Sequence, residues 1–185
     1  MRRGEFPVRE LLTREQLVLG VRRLAAEITE FYGDRPITIV GALTGSIVLL
    51  ADLIRELPMP LRVGLVQAHS YRGKATTPGA LVINSDLLPD LKDREVLLID
   101  DIFDTGHTLF ELVAQMKESR PRSLRSAVLL EKKGRREVNF RPDHVAFEIP
   151  DEFVVGYGLD YNDLYRNLPY LAVLEDQDLR GERPA

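Results

Sequence analysis

Residues 96–108, VLLIDDIFDTGHT, decide how this chain is read. Four apolar residues, Val96 to Ile99, run straight into the carboxylates Asp100 and Asp101. A third carboxylate, Asp104, opens the polar loop Thr105-Gly106-His107-Thr108. The apolar run reads as a buried strand over Glu95–Ile99, and Leu109, Leu112, Val113 and Met116 then recur at helical spacing. A strand thus ends in acids and a glycine-containing turn feeds a helix N-terminus. In open α/β sheets ligands sit at the carboxyl ends of strands. The free N–H groups of a helix start favour a phosphate there. One short segment therefore offers a phosphate cradle together with carboxylates for hydroxyls, a metal or a proton. The residues alone also allow an ordinary strand-to-turn junction whose acids only cap the helix.

Upstream, Thr13-Arg14-Glu15-Gln16 matches a capping box. Leu17, Val21, Leu24, Ala25, Ile28 and Phe31 then give one apolar helical face, ended by Gly33-Asp34-Arg35-Pro36. Ile37 to Leu43 reads as a buried strand and Thr44-Gly45-Ser46 as a turn. The following helix carries Val48, Leu49, Ala51, Leu53, Ile54 and Leu57 and stops before Pro58. Further strands are expected at 62–68, 80–84 and 124–130, around Val145 and Val154, and at 170–174. The polar stretch from His69 to Gly79 reads as a long excursion between two strands. Strands alternating with helices predict an α/β fold, a parallel-sheet core with helices on both faces. With no repeat and no dividing linker, residues 1–185 read as one domain, with a frayed tail after Glu175.

The chain has 185 residues, 44% hydrophobic and 29% charged, an ordinary soluble globular composition. No apolar run approaches the roughly 20 residues of a membrane helix. The start, MRRGEFPVRE, lacks the apolar stretch of a secretory signal. Having no cysteine excludes disulfides and thiolate zinc sites and fits a cytoplasmic location. A net charge of −4 provides no global attraction for nucleic acid, so a polyanionic substrate must be met locally. The basic run Lys132-Lys133-Gly134-Arg135-Arg136 reads as a solvated loop, Lys132 excepted for the reason below. His69, His107 and His144 show no ligand spacing and read as ordinary polar residues.

Two acids after a strand, followed by Asp-Thr-Gly-x-Thr, resemble the signature of the phosphoribosyltransferases. Residues 147–170, FEIPDEFVVGYGLDYNDLYRNLPY, resemble the hood of the hypoxanthine–guanine phosphoribosyltransferases. With Leu43-Thr44-Gly45-Ser46 and Ser70-Tyr71, the likeness runs from the first strand to about Glu175. It implies the type I phosphoribosyltransferase fold with a small C-terminal hood, formed mainly by residues 140–175 with the N-terminal segment. It also implies magnesium-dependent purine salvage. Hypoxanthine, and guanine too, would join phosphoribosyl pyrophosphate to give the nucleoside monophosphate and pyrophosphate.

Carried over residue by residue, the likeness gives Thr105, Gly106, His107 and Thr108, with the Asp104 backbone, to the 5′-phosphate. Hydroxyls, converging N–H groups and a glycine that permits close approach suit a dianion. Asp100 and Asp101 would bind the ribose hydroxyls and help hold Mg²⁺, which accepts one or two carboxylates plus substrate oxygens. Asp160 would hold a second Mg²⁺ at the pyrophosphate, and its turn would lie beside the purine. Asp104 would be the general base at purine N7. Thr44, Gly45 and Arg166 would contact pyrophosphate. Lys132 would donate to the purine O6, Phe153 would stack on the base, and Val154 would offer backbone groups to its edge. Ile102 would line the same pocket, and Ser70-Tyr71 would open a closing lid. Many relatives have Lys at the position of Thr44, so this chain lacks that basic contribution. A homodimer or homotetramer is implied, with no nucleic-acid or membrane partner. A regulatory nucleotide-binding protein of the same fold and a xanthine- or guanine-preferring relative are the alternatives.

Overall fold

In the computed structural model, residues 9–70, 81–84 and 86–175 are described. In chain order these are β1 (Arg9–Leu12), α1 (Arg14–Tyr32), β2 (Ile37–Leu43), α2 (Ile47–Glu56), β3 (Leu61–Ser70) and β4 (Leu81–Asn84). There follow β5 (Glu95–Phe103), α3 (His107–Glu118), β6 (Ser123–Lys132), β7 (His144–Ile149), β8 (Val154–Val155) and β9 (Leu171–Val173). The main sheet has the order β4-β3-β2-β5-β6-β7, parallel throughout except for the antiparallel edge strand β4. Helices cover both faces. Leu97 and Ile99 of β5 point into the core beneath α1 and α2, whereas Val96, Leu98 and Phe103 point into the core beneath α3. A strand buried on both faces needs a continuous apolar run, as Val96–Ile99 provides.

The first helix starts as its sequence dictates: Gln16 N donates to Thr13 Oγ1 at 3.2 Å, and Thr13 N donates to Gln16 Oε1 at 2.8 Å. Its apolar face ends on Tyr32, which was not anticipated, instead of Phe31. Tyr32 is buried and its hydroxyl donates to the Val96 carbonyl at 3.1 Å. Phe31 stays exposed, with the Arg125 guanidinium 3.6 Å from its ring centre. On α2 the buried residues are Leu49, Leu50 and Leu53, while Ala51 is exposed. That helix is apolar nearly all round, so periodicity could not choose between Leu50 and Ala51.

The largest departure from expectation lies in β5, which continues through both acids to Phe103. Pairing with β2 stops at Gly41↔Ile99, but pairing with β6 runs on through Asp100↔Val128, Ile102↔Leu130 and Phe103↔Glu131. The sheet therefore splits at its C-terminal edge between β2 and β5. The chain leaves β2 for α2 on one face and leaves β5 for α3 on the other. This is the topological switch point, where ligands of open α/β sheets bind.

A second sheet, β1-β9-β8, is antiparallel and combines both ends of the chain. Expected to start near residue 140, it begins at Val154, because residues 144–149 form the sixth strand of the main sheet. The expected lid residue Tyr71, the rest of the excursion to residue 80 and the tail past Glu175 lie outside the described residues. Ser70 is the last residue of β3, which extends beyond the expected end at Ala68. No described helix is long and apolar enough to cross a membrane.

Candidate functional site

A cavity of about 300 Å³ opens at the split between β2 and β5. Its floor is Asp100, Asp101 and Ile102 of β5, and one wall is Asp104, Thr105, Gly106 and Thr108. The opposite wall is Thr44 and Gly45, closed by Asp160 and Arg166 from the connection between β8 and β9. Eleven of the residues anticipated from sequence thus meet in one place. Lys132, Phe153 and Val154 lie outside this cavity's lining, as does His107.

The wall beyond β2 is built by close backbone approach. The Leu43–Thr44 peptide is cis, and Ser46 Oγ donates to the Ala42 carbonyl at 2.6 Å. A Cβ on Gly45 would fall 1.6 Å from Asp101 Oδ2. A Cβ on Gly158 would fall 2.1 Å from the Gly45 carbonyl oxygen. Only two glycines let these segments lie against each other and against the Asp101 carboxylate.

Asp100 and Asp101 sit side by side in the buried end of the strand. Asp101 N donates to Asp100 Oδ1 at 2.9 Å, and Ile102 N donates to Asp101 Oδ1 at 3.0 Å. Burial, followed by the neighbouring Asp101 charge, holds the Asp100 carboxyl well above the usual carboxylate range. Burial also raises Asp101, although hydrogen bonds and the Arg166 charge oppose the shift. Such a pair calls for a cation, and its all-oxygen donor set suits a hard divalent ion such as Mg²⁺. Among the described residues no group of three or more Asp, Glu or His converges as metal ligands. Asp160 therefore does not complete a protein-only site with the pair. Its Oδ2 accepts from Asp163 N at 2.9 Å and its Oδ1 lies 2.8 Å from Arg166 Nη2.

The linkage has a definite sign. A carboxyl whose folded pKa is raised contributes stability below its unfolded pKa and loses it as pH climbs through the folded value. In chelator, Asp100→Asn should therefore raise the melting temperature more at pH 8 than at pH 5, because asparagine keeps the acceptor for Asp101 N. Melting curves at the two pH values test this, and an equal shift at both would contradict the buried-charge argument.

The loop between β5 and α3 leaves the helix start open. Gly106, the N-cap of α3, has φ +91° and makes no side-chain cap. A Cβ there would lie 2.6 Å from both the Phe103 ring and Val138. The first-turn N–H groups, with Thr105 and Thr108 beside them, are left open to an anion. The His107 ring is engaged elsewhere, with Nε2 at 3.1 Å from Glu137 Oε2.

Above the cradle lies a cluster of four charges that sequence reasoning half missed. Lys132, the last residue of β6, places Nζ 3.4 Å from Asp104 Oδ2 and 3.4 Å from Asp151 Oδ1. Arg135 Nε donates to Asp104 Oδ1 at 2.9 Å. The basic run is solvated as read, and the exposed Arg135 nonetheless pairs with the carboxylate expected to act as base. Phe153 keeps its ring exposed, edge-on to Tyr161 with centroids 5.6 Å apart, and so is free to take a planar ligand. Val154 is buried in the small sheet, in register with Val173. Arg166 Nη1 donates to the Gly158 carbonyl at 2.7 Å, which fixes the guanidinium at the cavity rim. His144 is mostly buried, 3.7 Å from Glu27, and has no part in the site.

With this geometry in hand, comparisons with known proteins are informative. The phosphoribosyl transferase domain family matches residues 7–162. The chain is 42% identical to the hypoxanthine-guanine phosphoribosyltransferase of Aquifex aeolicus, covering 90% of this chain and 94% of that one. It is 41% identical to that of Staphylococcus epidermidis, covering 89% and 92%. The crystal structure of a Bacillus anthracis hypoxanthine-guanine phosphoribosyltransferase superposes with a TM-score of 0.84 at 35% identity, over 90% of this chain and 98% of that one. A Trypanosoma cruzi hypoxanthine phosphoribosyltransferase variant, complexed with the product IMP, superposes with a TM-score of 0.87 at 32% identity over the whole of both chains.

Proposed function

This chain belongs to the phosphoribosyltransferase family, among relatives named hypoxanthine-guanine phosphoribosyltransferases, and we propose that it makes purine mononucleotides from 6-oxopurines and phosphoribosyl pyrophosphate. The observation that carries this reading is one cavity at the switch point combining paired acids, an uncapped helix start and Arg166. Hypoxanthine is the principal substrate, and guanine is a second.

The 5′-phosphate sits on the N–H groups and hydroxyls of Thr105, Gly106 and Thr108, with His107 giving its backbone N–H. The ribose hydroxyls face Asp100 and Asp101. Mg²⁺ held by this pair and by substrate oxygens would neutralise charge on the departing pyrophosphate. Thr44, Gly45 and Arg166 bind the pyrophosphate, and Asp160 orients Arg166 there through their 2.8 Å contact. As the C1′–pyrophosphate bond breaks, positive charge grows on the ribose and the purine N9 lone pair forms the new bond. The proton on N7 passes to Asp104, whose carboxylate also faces the developing charge. Phe153 and Ile102 enclose the ring, and the Asp160 turn and Val154 backbone meet its C2 edge. Ser70 and Tyr71 begin the segment that would shield the site from water.

Lys132 turns from Asp104 and Asp151 to donate to O6. A 6-amino base would leave two donors facing each other, a penalty of about 1–3 kcal/mol. Lys132→Gln, whose amide offers both a donor and an acceptor, should narrow the kcat/KM ratio of hypoxanthine to adenine by about ten- to a hundredfold. An unchanged ratio would remove Lys132 from base selection. The reading itself is tested by supplying phosphoribosyl pyrophosphate, Mg²⁺ and hypoxanthine and following IMP formation. The single domain works as a cytoplasmic homodimer or homotetramer, a reading supported by the exposed apolar side chains of Val18, Leu19, Ile47 and Leu164.

A further inference from the structure

At the opposite pole of the main sheet, a second cavity of about 450 Å³ opens beneath the N-terminal ends of β2, β3 and β5. Four arginines line it, Arg35, Arg62, Arg94 and Arg122, against two acids, Asp93 and Glu95. This is a local excess of positive charge on a chain whose net charge is −4. Arg35 is already engaged, with Nη1 3.0 Å from Glu95 Oε1 and Nε 2.9 Å from the Tyr32 carbonyl. The side chains of Arg62, Arg94 and Arg122 have no hydrogen-bond or ion-pair partner among the described residues. Arg94 Nε is moreover buried. A buried donor without a partner is costly, which suits this position to an acceptor-rich anion.

The sheet register sets the spacing of the three free forks. Arg62 lies beside Thr38 of β2, and Glu95 lies beside Ile37 of β2 and Ser123 of β6. Arg122 N donates to the Arg94 carbonyl at 2.8 Å. Adjacent strands are about 4.8 Å apart, so the row from β3 to β6 spans roughly 14 Å. Guanidinium forks take phosphoryl oxygens two at a time. A row of such length suits several linked phosphoryl groups better than a single phosphate.

We propose that this pole binds an oligophosphate, either the free anion or the phosphate chain of a nucleoside oligophosphate, through Arg62, Arg94 and Arg122. The seven residues of β2, at about 3.3 Å each, hold it roughly 20 Å from the reaction cavity. No single bound molecule therefore spans both sites, and the proposal does not rest on the proposed reaction.

Isothermal titration of tripolyphosphate into the full chain, in chelator, tests it with three proteins: the natural chain, Arg62→Gln/Arg122→Gln and Arg166→Gln. Arg62 and Arg122 are exposed, so the double variant should fold and turn over normally. The expected result is a binding component, distinct from any in the reaction cavity, whose affinity falls at least about tenfold in the double variant and is kept in Arg166→Gln. A double variant that titrates like the natural chain would overturn the proposal, as would loss of all binding in Arg166→Gln. ATP distinguishes the two sources. Binding of ATP with the same loss in the double variant assigns the nucleoside form, and binding of tripolyphosphate alone assigns the free anion.

Discussion

Asp104→Asn is expected to lower kcat for hypoxanthine by about 10²–10⁴-fold, the range for removing a general base, while phosphoribosyl pyrophosphate still binds. The substitution preserves size and leaves untouched the loop backbone proposed to cradle the 5′-phosphate, so ground-state binding has no reason to collapse. It removes the group proposed to take the N7 proton, and with it the negative charge proposed to face the ribose. It also disturbs the charge cluster. Asp104 answers two cations, Arg135 through Oδ1 and Lys132 through Oδ2. An asparagine oxygen can face only one of them, and its amide nitrogen then confronts the other. Steady-state kcat and KM, together with calorimetric binding of phosphoribosyl pyrophosphate, separate chemistry from binding. Turnover within a few-fold of the natural chain would remove Asp104 from the role of base.

Gly158→Ala should unfold the protein substantially earlier and distort the cavity wall formed by Thr44 and Gly45. Gly158 has φ +103°, a conformation that strains any residue with a Cβ, and the new methyl would sit 2.1 Å from the Gly45 carbonyl oxygen. That oxygen belongs to backbone and cannot swing aside as a side chain would. Strain at such a position costs of order 1–3 kcal/mol, and displacement of the packed backbone adds to it. At about 2–4 °C per kcal/mol for a chain of this size, a loss of roughly 10 °C is expected. Gly134→Ala supplies the control. It has φ +75° but nothing within 4 Å of its Cβ, so it tests strain without contact. If the two variants melted together, the close approach of Gly158 to Gly45 would not be holding the wall.

What could be read in advance was whatever is contiguous. The string from Val96 to Thr108 carries its strand, acids, loop and helix start as sequence neighbours, so both the fold class and the open helix start beside the acids were legible. The capping box at Thr13 and the buried face of α3 were legible for the same reason, since each is a local pattern. The continuation of β5 past Ile99 was not, because it depends on β6 alone keeping its partner residues after β2 turns away. Nor was the pairing of Arg135 with Asp104: the two are 31 residues apart, and a run of basic residues does not say which fork meets that carboxylate. The β1–β9 pairing joins opposite ends of the chain through a four-residue strand with an irregular register, too short to announce itself. Gly45 reads as part of a turn meeting pyrophosphate, and no local pattern says that Gly158 lies against its carbonyl.

The most direct test of the central claim is the ratio of kcat/KM for hypoxanthine to that for adenine, measured with phosphoribosyl pyrophosphate and Mg²⁺ on the full chain. A 6-oxopurine site built around Lys132 predicts rapid IMP formation and a ratio of at least about ten- to a hundredfold in favour of hypoxanthine. Equal use of adenine, or no nucleotide from either base, would contradict it.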